Sequence, residues 1–163
     1  MSLLIRTIVY ATFFIGFLLV WLPARVLAAV GIDRPAAIGV PQVAGLILGI
    51  LGAVLALSCV AAFIWLGKGT PAPFDAPRRL VVRGPYRFIR NPMYLGAGLA
   101  LAAAALFYRS AALLAYAALF LLAFHCFVLF YEEPTLRRIF GVDYENYCRR
   151  TGRWWPHLRV VSR

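Results

Sequence analysis

Two short segments of the chain carry the residue types that bind a charged ligand. Arg90, Asn91 and Tyr94 follow a basic loop and begin an apolar run, and Glu132 and Glu133 end the next apolar run. Each run is long enough for one membrane crossing, so the two segments should lie at the same membrane face. An arginine and carboxylates at one face would suit a ligand that carries both a carboxylate and a cation.

The acidic pair is expected at the C-terminal end of the fourth helix, which is the negative end of its dipole. Carboxylates at this end need a cation nearby, either a bound ligand or an arginine such as Arg87, Arg90 or Arg137. Adjacent helical residues point about 100° apart, so Glu132 and Glu133 should have different partners.

His125 stands two helical turns before Glu132, on nearly the same helix face. An ionisable side chain inside an apolar run is a candidate functional residue. The alternative is a packing histidine whose ring nitrogens are satisfied by neighbours. The candidate catalytic residues are therefore Glu132, Glu133 and His125.

Composition predicts a membrane protein, since 63% of the 163 residues are hydrophobic and the charged residues are confined to a few places. The pattern predicts an all-α integral membrane protein: one domain of about four transmembrane helices, the last two forming a C-terminal helical hairpin. The predicted spans are about 7–30, 41–66, 92–108 and 111–131, with a cytoplasmic loop at 67–91 and an interfacial cytoplasmic tail at 132–163. A signal peptide would also fit the first apolar run, but a retained span is the interpretation we adopt.

The chain has a net charge of +11, and the distribution of its basic residues indicates the membrane topology. Most of the basic residues fall in the predicted loop and tail, which an even number of crossings places on one side. The positive-inside rule then puts both termini in the cytoplasm of a multi-pass protein, which we expect in a bacterial inner membrane. Orientation accounts for the arginines without nucleic acid. The aromatic residues of the tail, Tyr144, Tyr147, Trp154 and Trp155, are expected at headgroup depth among these arginines.

Small residues recur along the second span, with Gly45, Gly49 and Gly52 at near-helical spacing. Such a stripe lets another helix approach closely, and it would also suit a groove for a flat ring, with Gly52 facing the ligand. The three cysteines lack metal-ligand spacing, so no metal site and no disulfide are predicted.

Several short motifs follow one another around the predicted hairpin. They are Gly84-Pro85-Tyr86, Arg90-Asn91-Pro92-Met93-Tyr94-Leu95-Gly96, Tyr131-Glu132-Glu133-Pro134, and Phe140-Gly141 followed by Tyr144 and Tyr147. Over residues 67–156 the chain resembles the isoprenylcysteine carboxyl methyltransferase and phospholipid methyltransferase superfamily.

The resemblance implies a membrane-embedded enzyme that uses S-adenosylmethionine at the cytoplasmic ends of its last spans. The segment that ends at Tyr94 and the acidic pair would contact the cofactor, and the loop near Leu80 and Val81 would close over it. The expected cofactor-binding residues are Leu80, Val81, Tyr86, Arg90, Asn91, Pro92, Met93, Tyr94, Glu132, Glu133 and, from the groove, Gly52.

Two departures from the prenylcysteine enzymes bear on the acceptor. Asn91 stands where those enzymes usually have histidine, and Val128 stands where an arginine would engage the substrate carboxylate. The sequence therefore predicts methylation of a phospholipid amine or another hydrophobic, membrane-dissolved acceptor. The alternatives are carboxyl methylation of isoprenylcysteine-like substrates, methylation of a small thiol or amine, and a non-enzymatic basic scaffold that binds lipid. Transport is disfavoured because His125 is the one strongly polar candidate inside a span.

Overall fold

A computed structural model describes residue 9 and residues 12–67 and 80–156, and this part of the chain is helical without β-strands. The helices are α1 (Phe14–Ala29), α2 (Val40–Ala62), α3 (Pro92–Tyr108), α4 (Ala111–Phe127), α5 (Glu133–Phe140) and α6 (Val142–Arg150). A 3₁₀ turn covers Gly84–Arg87, and wider π-helical turns occur at Phe14–Trp21, Phe63–Gly67 and Val128–Glu132. Some of the basic residues on which the predicted topology rests lie outside the described residues: Arg6, Lys68, Arg78, Arg79, Arg159 and Arg163.

Four of these helices are apolar. Val40–Trp65 and Ala111–Phe140 are long and apolar enough to cross a membrane, and Phe14–Ala29 and Pro92–Tyr108 are apolar but shorter. Large hydrophobic side chains such as Leu46 on α2 are exposed, which suits a lipid environment. The predicted all-α fold with about four apolar helices is confirmed.

Small residues let α2 and α3 pack with their backbones in contact. A Cβ atom added at Gly52 would lie 2.8 Å from the carbonyl oxygen of Gly96, and one added at Gly45 would lie 2.8 Å from that of Ala103. Any larger side chain at these positions would separate the helices. Gly52 therefore serves helix packing, which is one of the two interpretations of the glycine stripe. The other interpretation, that Gly52 faces a ligand groove, was wrong.

The α3–α4 hairpin turns within two residues. Arg109 adopts the left-handed conformation with φ 51°, and the Ser110 hydroxyl accepts a hydrogen bond from the Leu113 amide at 3.3 Å, which caps α4. Gln42 of α2 donates to the Phe107 carbonyl at 3.0 Å. These contacts tie the hairpin to α2 and align the other ends of α3 and α4, where the candidate residues lie.

The fourth helix does not end at the acidic pair. Helical winding continues from α4 through the π-helical turn Val128–Glu132 into α5. Pro134 lacks an amide hydrogen and would disrupt a regular helix, but the wide turn before it accommodates the proline near the start of α5. The expectation that both carboxylates face a negative helix end was therefore wrong. Glu133 is the first residue of α5 and lies inside this continuous winding, with its amide bonded to the Val128 carbonyl.

Candidate functional site

A cavity lies where the start of α3, the acidic pair and α6 meet. Its empty space is about 480 Å³, and this volume includes open solvent at the mouth. The described residues that line it are Phe63, Leu80, Val81, Tyr86, Arg90, Asn91, Glu132, Glu133, Leu136, Tyr144 and Tyr147. The cavity thus brings together seven of the expected cofactor-binding residues.

Glu133 is clasped by two arginines. Arg153 donates from Nε to Oε1 at 2.8 Å and from Nη2 to Oε2 at 2.9 Å, and Arg90 Nη1 lies 3.3 Å from Oε1. This bidentate geometry is the strongest form of arginine–carboxylate contact. The bond to Glu133 raises the pKa of Arg153. Both oxygens of Glu133 are occupied by protein, so its charge is compensated.

Glu132 has a different environment, as the sequence predicted for the two carboxylates. Its Oε2 accepts a hydrogen bond from the Tyr94 hydroxyl at 2.9 Å. Within the described part of the chain, no arginine, lysine or histidine nitrogen lies within 4 Å of its carboxylate. The cavity wall therefore contains one compensated carboxylate and one that a neutral phenol contacts.

Arg90 and Asn91 are held against the residues that follow α6. The Arg90 amide donates to the Gly152 carbonyl at 2.9 Å, beside an isolated parallel bridge between Ile89 and Gly152. Asn91 stands at the N-cap position of α3, but its side chain donates to the Arg153 carbonyl at 3.2 Å instead of capping the helix. Its side-chain amide therefore joins the start of α3 to the tail.

The Arg90 side chain has one unused donor. Its Nη1 contacts Glu133 and donates to the Cys148 sulfur, whereas its buried Nε has no hydrogen-bond partner among the described residues. A buried donor without a partner is unfavourable, by about 1–3 kcal/mol or more for a charged group.

Three buried tyrosines form part of the cavity wall. Burial raises the pKa of Tyr86, Tyr144 and Tyr147 well above that of a free phenol, so all three hydroxyls stay protonated. Tyr147 donates to the Tyr86 carbonyl at 2.6 Å, which fixes α6 against the 3₁₀ turn. Tyr144 and Tyr147 are three residues apart on the inward face of α6, and Tyr144 is 2% exposed. Their rings therefore pack inside the protein; their expected location at headgroup depth stays a prediction. Trp155, by contrast, is exposed.

Other candidates lie outside the cavity wall. Pro92 is buried at the first position of α3, and Met93 packs against the buried cluster around Cys59. His125 accepts a hydrogen bond from Trp154 Nε1 at its Nδ1 atom, at 2.9 Å. This contact matches the packing interpretation of His125 and ties the tail to α4. Val128 is fully buried and does not line the cavity either.

Sequence reasoning missed Phe63, Leu136 and Arg153 as parts of the site. Arg153 is one of 17 basic residues, and nothing in its local sequence distinguishes it from the others. The spacing of Tyr144 and Tyr147 was a usable signal, since two aromatic residues three positions apart share a helix face.

A family model described as phospholipid methyltransferase matches residues 40–143, which is more than half of the chain. The chain belongs to the phospholipid methyltransferase family. Neither a curated protein nor a solved structure matches it.

Membership places the chain in the superfamily that the motifs indicated and supports a membrane methyltransferase that acts on a hydrophobic substrate. The matched range covers α2 to α5 and the acidic pair. It ends before Tyr144 and Tyr147, which complete the cavity wall, and before Arg153, which binds Glu133. The two apolar spans and the family together support membrane association. No group of three or more potential metal ligands occurs among the residues from 12–67 and 80–156.

Proposed function

We propose that the chain transfers a methyl group from S-adenosylmethionine to a lipid-borne amine in the cavity beside the acidic pair. The observation that carries this proposal is the Glu132 carboxylate, which lines the cavity without a nearby cation among the described residues. An uncompensated carboxylate in a partly enclosed site attracts a positively charged ligand. Both the cofactor and an alkylammonium acceptor carry such a charge.

The donor set of the cavity fits the cofactor. Arg90 lines the cavity and would hold the carboxylate of the cofactor, and Glu132 offers acceptors to a ribose diol or a cation. The side chains of Phe63, Leu80 and Val81 provide apolar wall that restricts water. When bound, the cofactor supplies a methyl group that is already activated by its positive sulfur, so positioning is the main task of the protein.

An ammonium acceptor must lose a proton before it can attack a methyl group, and Glu132 is the best-placed group to take it. Both oxygens of Glu133 are held by Arg153, and His125 lies outside the cavity wall with its Nδ1 occupied by Trp154. The Tyr94 hydroxyl binds Oε2 of Glu132 and not Oε1. We therefore assign proton transfer to Oε1 of Glu132.

The cavity would face the cytoplasm, with both termini on that side. It lies at the end of α3 and α4 opposite the hairpin turn. In the sequence, the exposed residues Arg83 and Arg87 come shortly before α3, and the exposed residues Arg137 and Arg138 come shortly after the acidic pair. Basic residues concentrate on the cytoplasmic side of membrane proteins. A lipid acceptor would reach the cavity from the adjoining leaflet.

Cofactor binding is the first test of this function. We expect the purified protein in detergent to bind S-adenosylmethionine without added metal, because the cavity offers an arginine donor and a carboxylate acceptor at once. Isothermal titration calorimetry measures this directly. Absence of any binding heat at millimolar cofactor, with circular dichroism showing intact helix, would reject the methyltransferase proposal.

The acceptor class is the second test. We expect labelled methyl groups to enter vesicles of phosphatidylethanolamine and not a prenylcysteine analogue. An acceptor carboxylate beside the uncompensated Glu132 would bring like charges together, and the position of the expected arginine is occupied by the buried Val128. Thin-layer chromatography separates the two products.

Two controls make the acceptor experiment decisive. Vesicles of phosphatidylcholine, whose amine is already fully methylated, should take up no label. Base-labile methyl ester on the analogue, with no label in phosphatidylethanolamine, would show that the acceptor is a carboxylate. Such a result would contradict the amine assignment and leave the methyltransferase activity standing.

A further inference from the structure

We propose that Tyr94 is a positioning residue, which acts on the bound ligand through the Glu132 carboxylate; this inference rests on the proposed function. The Tyr94 hydroxyl donates to Glu132 Oε2 at 2.9 Å. Glu132 lines the cavity, whereas Tyr94 does not. The geometry therefore places the carboxylate between Tyr94 and the ligand, in contrast to the direct cofactor contact that the family resemblance implied.

The Tyr94 ring is fixed by its surroundings. The side chain is 4% exposed and stacks on Phe124 of α4, with ring centroids 4.6 Å apart and an interplanar angle of 27°. Phe124 in turn packs against Phe120 and against Phe14 of α1. Three helices thus hold the hydroxyl in place. A fixed donor on one oxygen restricts the rotamers of the glutamate before a ligand arrives, which lowers the entropic cost of binding.

The Tyr94 phenol also preserves the negative charge of Glu132, which the site needs for a cationic ligand. An arginine in this place would orient the carboxylate and cancel its charge, as Arg153 and Arg90 do for Glu133. The neutral Tyr94 hydroxyl orients the group, and the negative charge stays available to a cationic ligand. It occupies Oε2 and leaves Oε1 for the reaction. The two neighbouring glutamates are therefore specialised by their partners.

The test removes the hydroxyl and keeps the ring. We expect Tyr94→Phe to weaken S-adenosylmethionine binding about tenfold, the contribution of a hydrogen bond to a charged group. Tyr116→Phe is the matched control, because the Tyr116 hydroxyl also makes a 2.9 Å hydrogen bond, to the Leu18 carbonyl, and Tyr116 does not line the cavity. Its affinity should equal that of the wild type in the same calorimetric experiment.

A second pair of variants shows whether Tyr94 acts through Glu132. In a Glu132→Ala background, which lacks the acceptor, Tyr94→Phe should change the affinity less than about twofold, because coupled residues are not additive. An unchanged affinity for Tyr94→Phe alone, or the same tenfold loss in both backgrounds, would overturn the positioning role. Absence of binding to the wild type would instead overturn the proposed function.

Discussion

Glu132→Gln should slow methyl transfer to phosphatidylethanolamine about 100-fold, which is the lower end of the contribution of a general base. The substitution keeps the shape of the side chain and removes its charge and its capacity to take a proton at Oε1. It should also weaken S-adenosylmethionine binding about tenfold, because a charge-assisted contact becomes a neutral one. Rates are measured from label entering lipid at saturating cofactor, and affinities by calorimetry.

Glu145→Gln is the matched control for this experiment. Glu145 is an exposed residue of α6 and does not line the cavity, so the same chemical change there should leave rate and affinity unaltered. The thermal midpoint of Glu132→Gln should stay close to that of the wild type, since the Tyr94 hydroxyl can still donate to the amide oxygen. A Glu132→Gln variant with normal turnover would exclude the assigned proton acceptor.

The sequence predicted the helices because hydrophobic length and charge placement are local properties. The apolar run before Tyr108 and the short polar link at Arg109 and Ser110 require a tight hairpin, and the structure has one. The sequence did not predict that the helix continues through Glu132 into α5, and the reason is again local. Pro134 normally ends a helix, and a wide π-helical turn that compensates for it leaves no simple sequence pattern.

The cavity was predictable only in part, because its wall combines local motifs with distant residues. The segment from Arg90 and the acidic pair occur as compact motifs, and the hairpin brings them together. The partner of Glu133 is Arg153, twenty residues away and outside any motif. Its identity depends on how the chain after α6 returns to Arg90, where Gly152 pairs with the loop backbone. Only the three-dimensional arrangement determines such a contact.

Glu133→Gln should lower the stability of the protein, in contrast to Glu132→Gln. The substitution removes the negative charge that Arg153 and the largely buried Arg90 share. Breaking a buried ion pair from one side costs about 3–5 kcal/mol, and the partial exposure of Arg153 favours the lower value. For a chain of this size, about 3 kcal/mol corresponds to a fall in Tm on the order of 10 °C. Thermal unfolding followed by circular dichroism in detergent measures it.

The double variant Glu133→Gln with Arg153→Gln shows whether this loss of stability arises from the contact between Glu133 and Arg153, here called the clasp. Arg153 forms a bidentate contact with Glu133, so removing both partners should cost less than the sum of the single substitutions. Glu145→Gln again serves as the exposed control, with an expected change within about 0.5 kcal/mol. Simple additivity of the two single effects, or an equal loss in Glu145→Gln, would contradict the clasp as the source of stability.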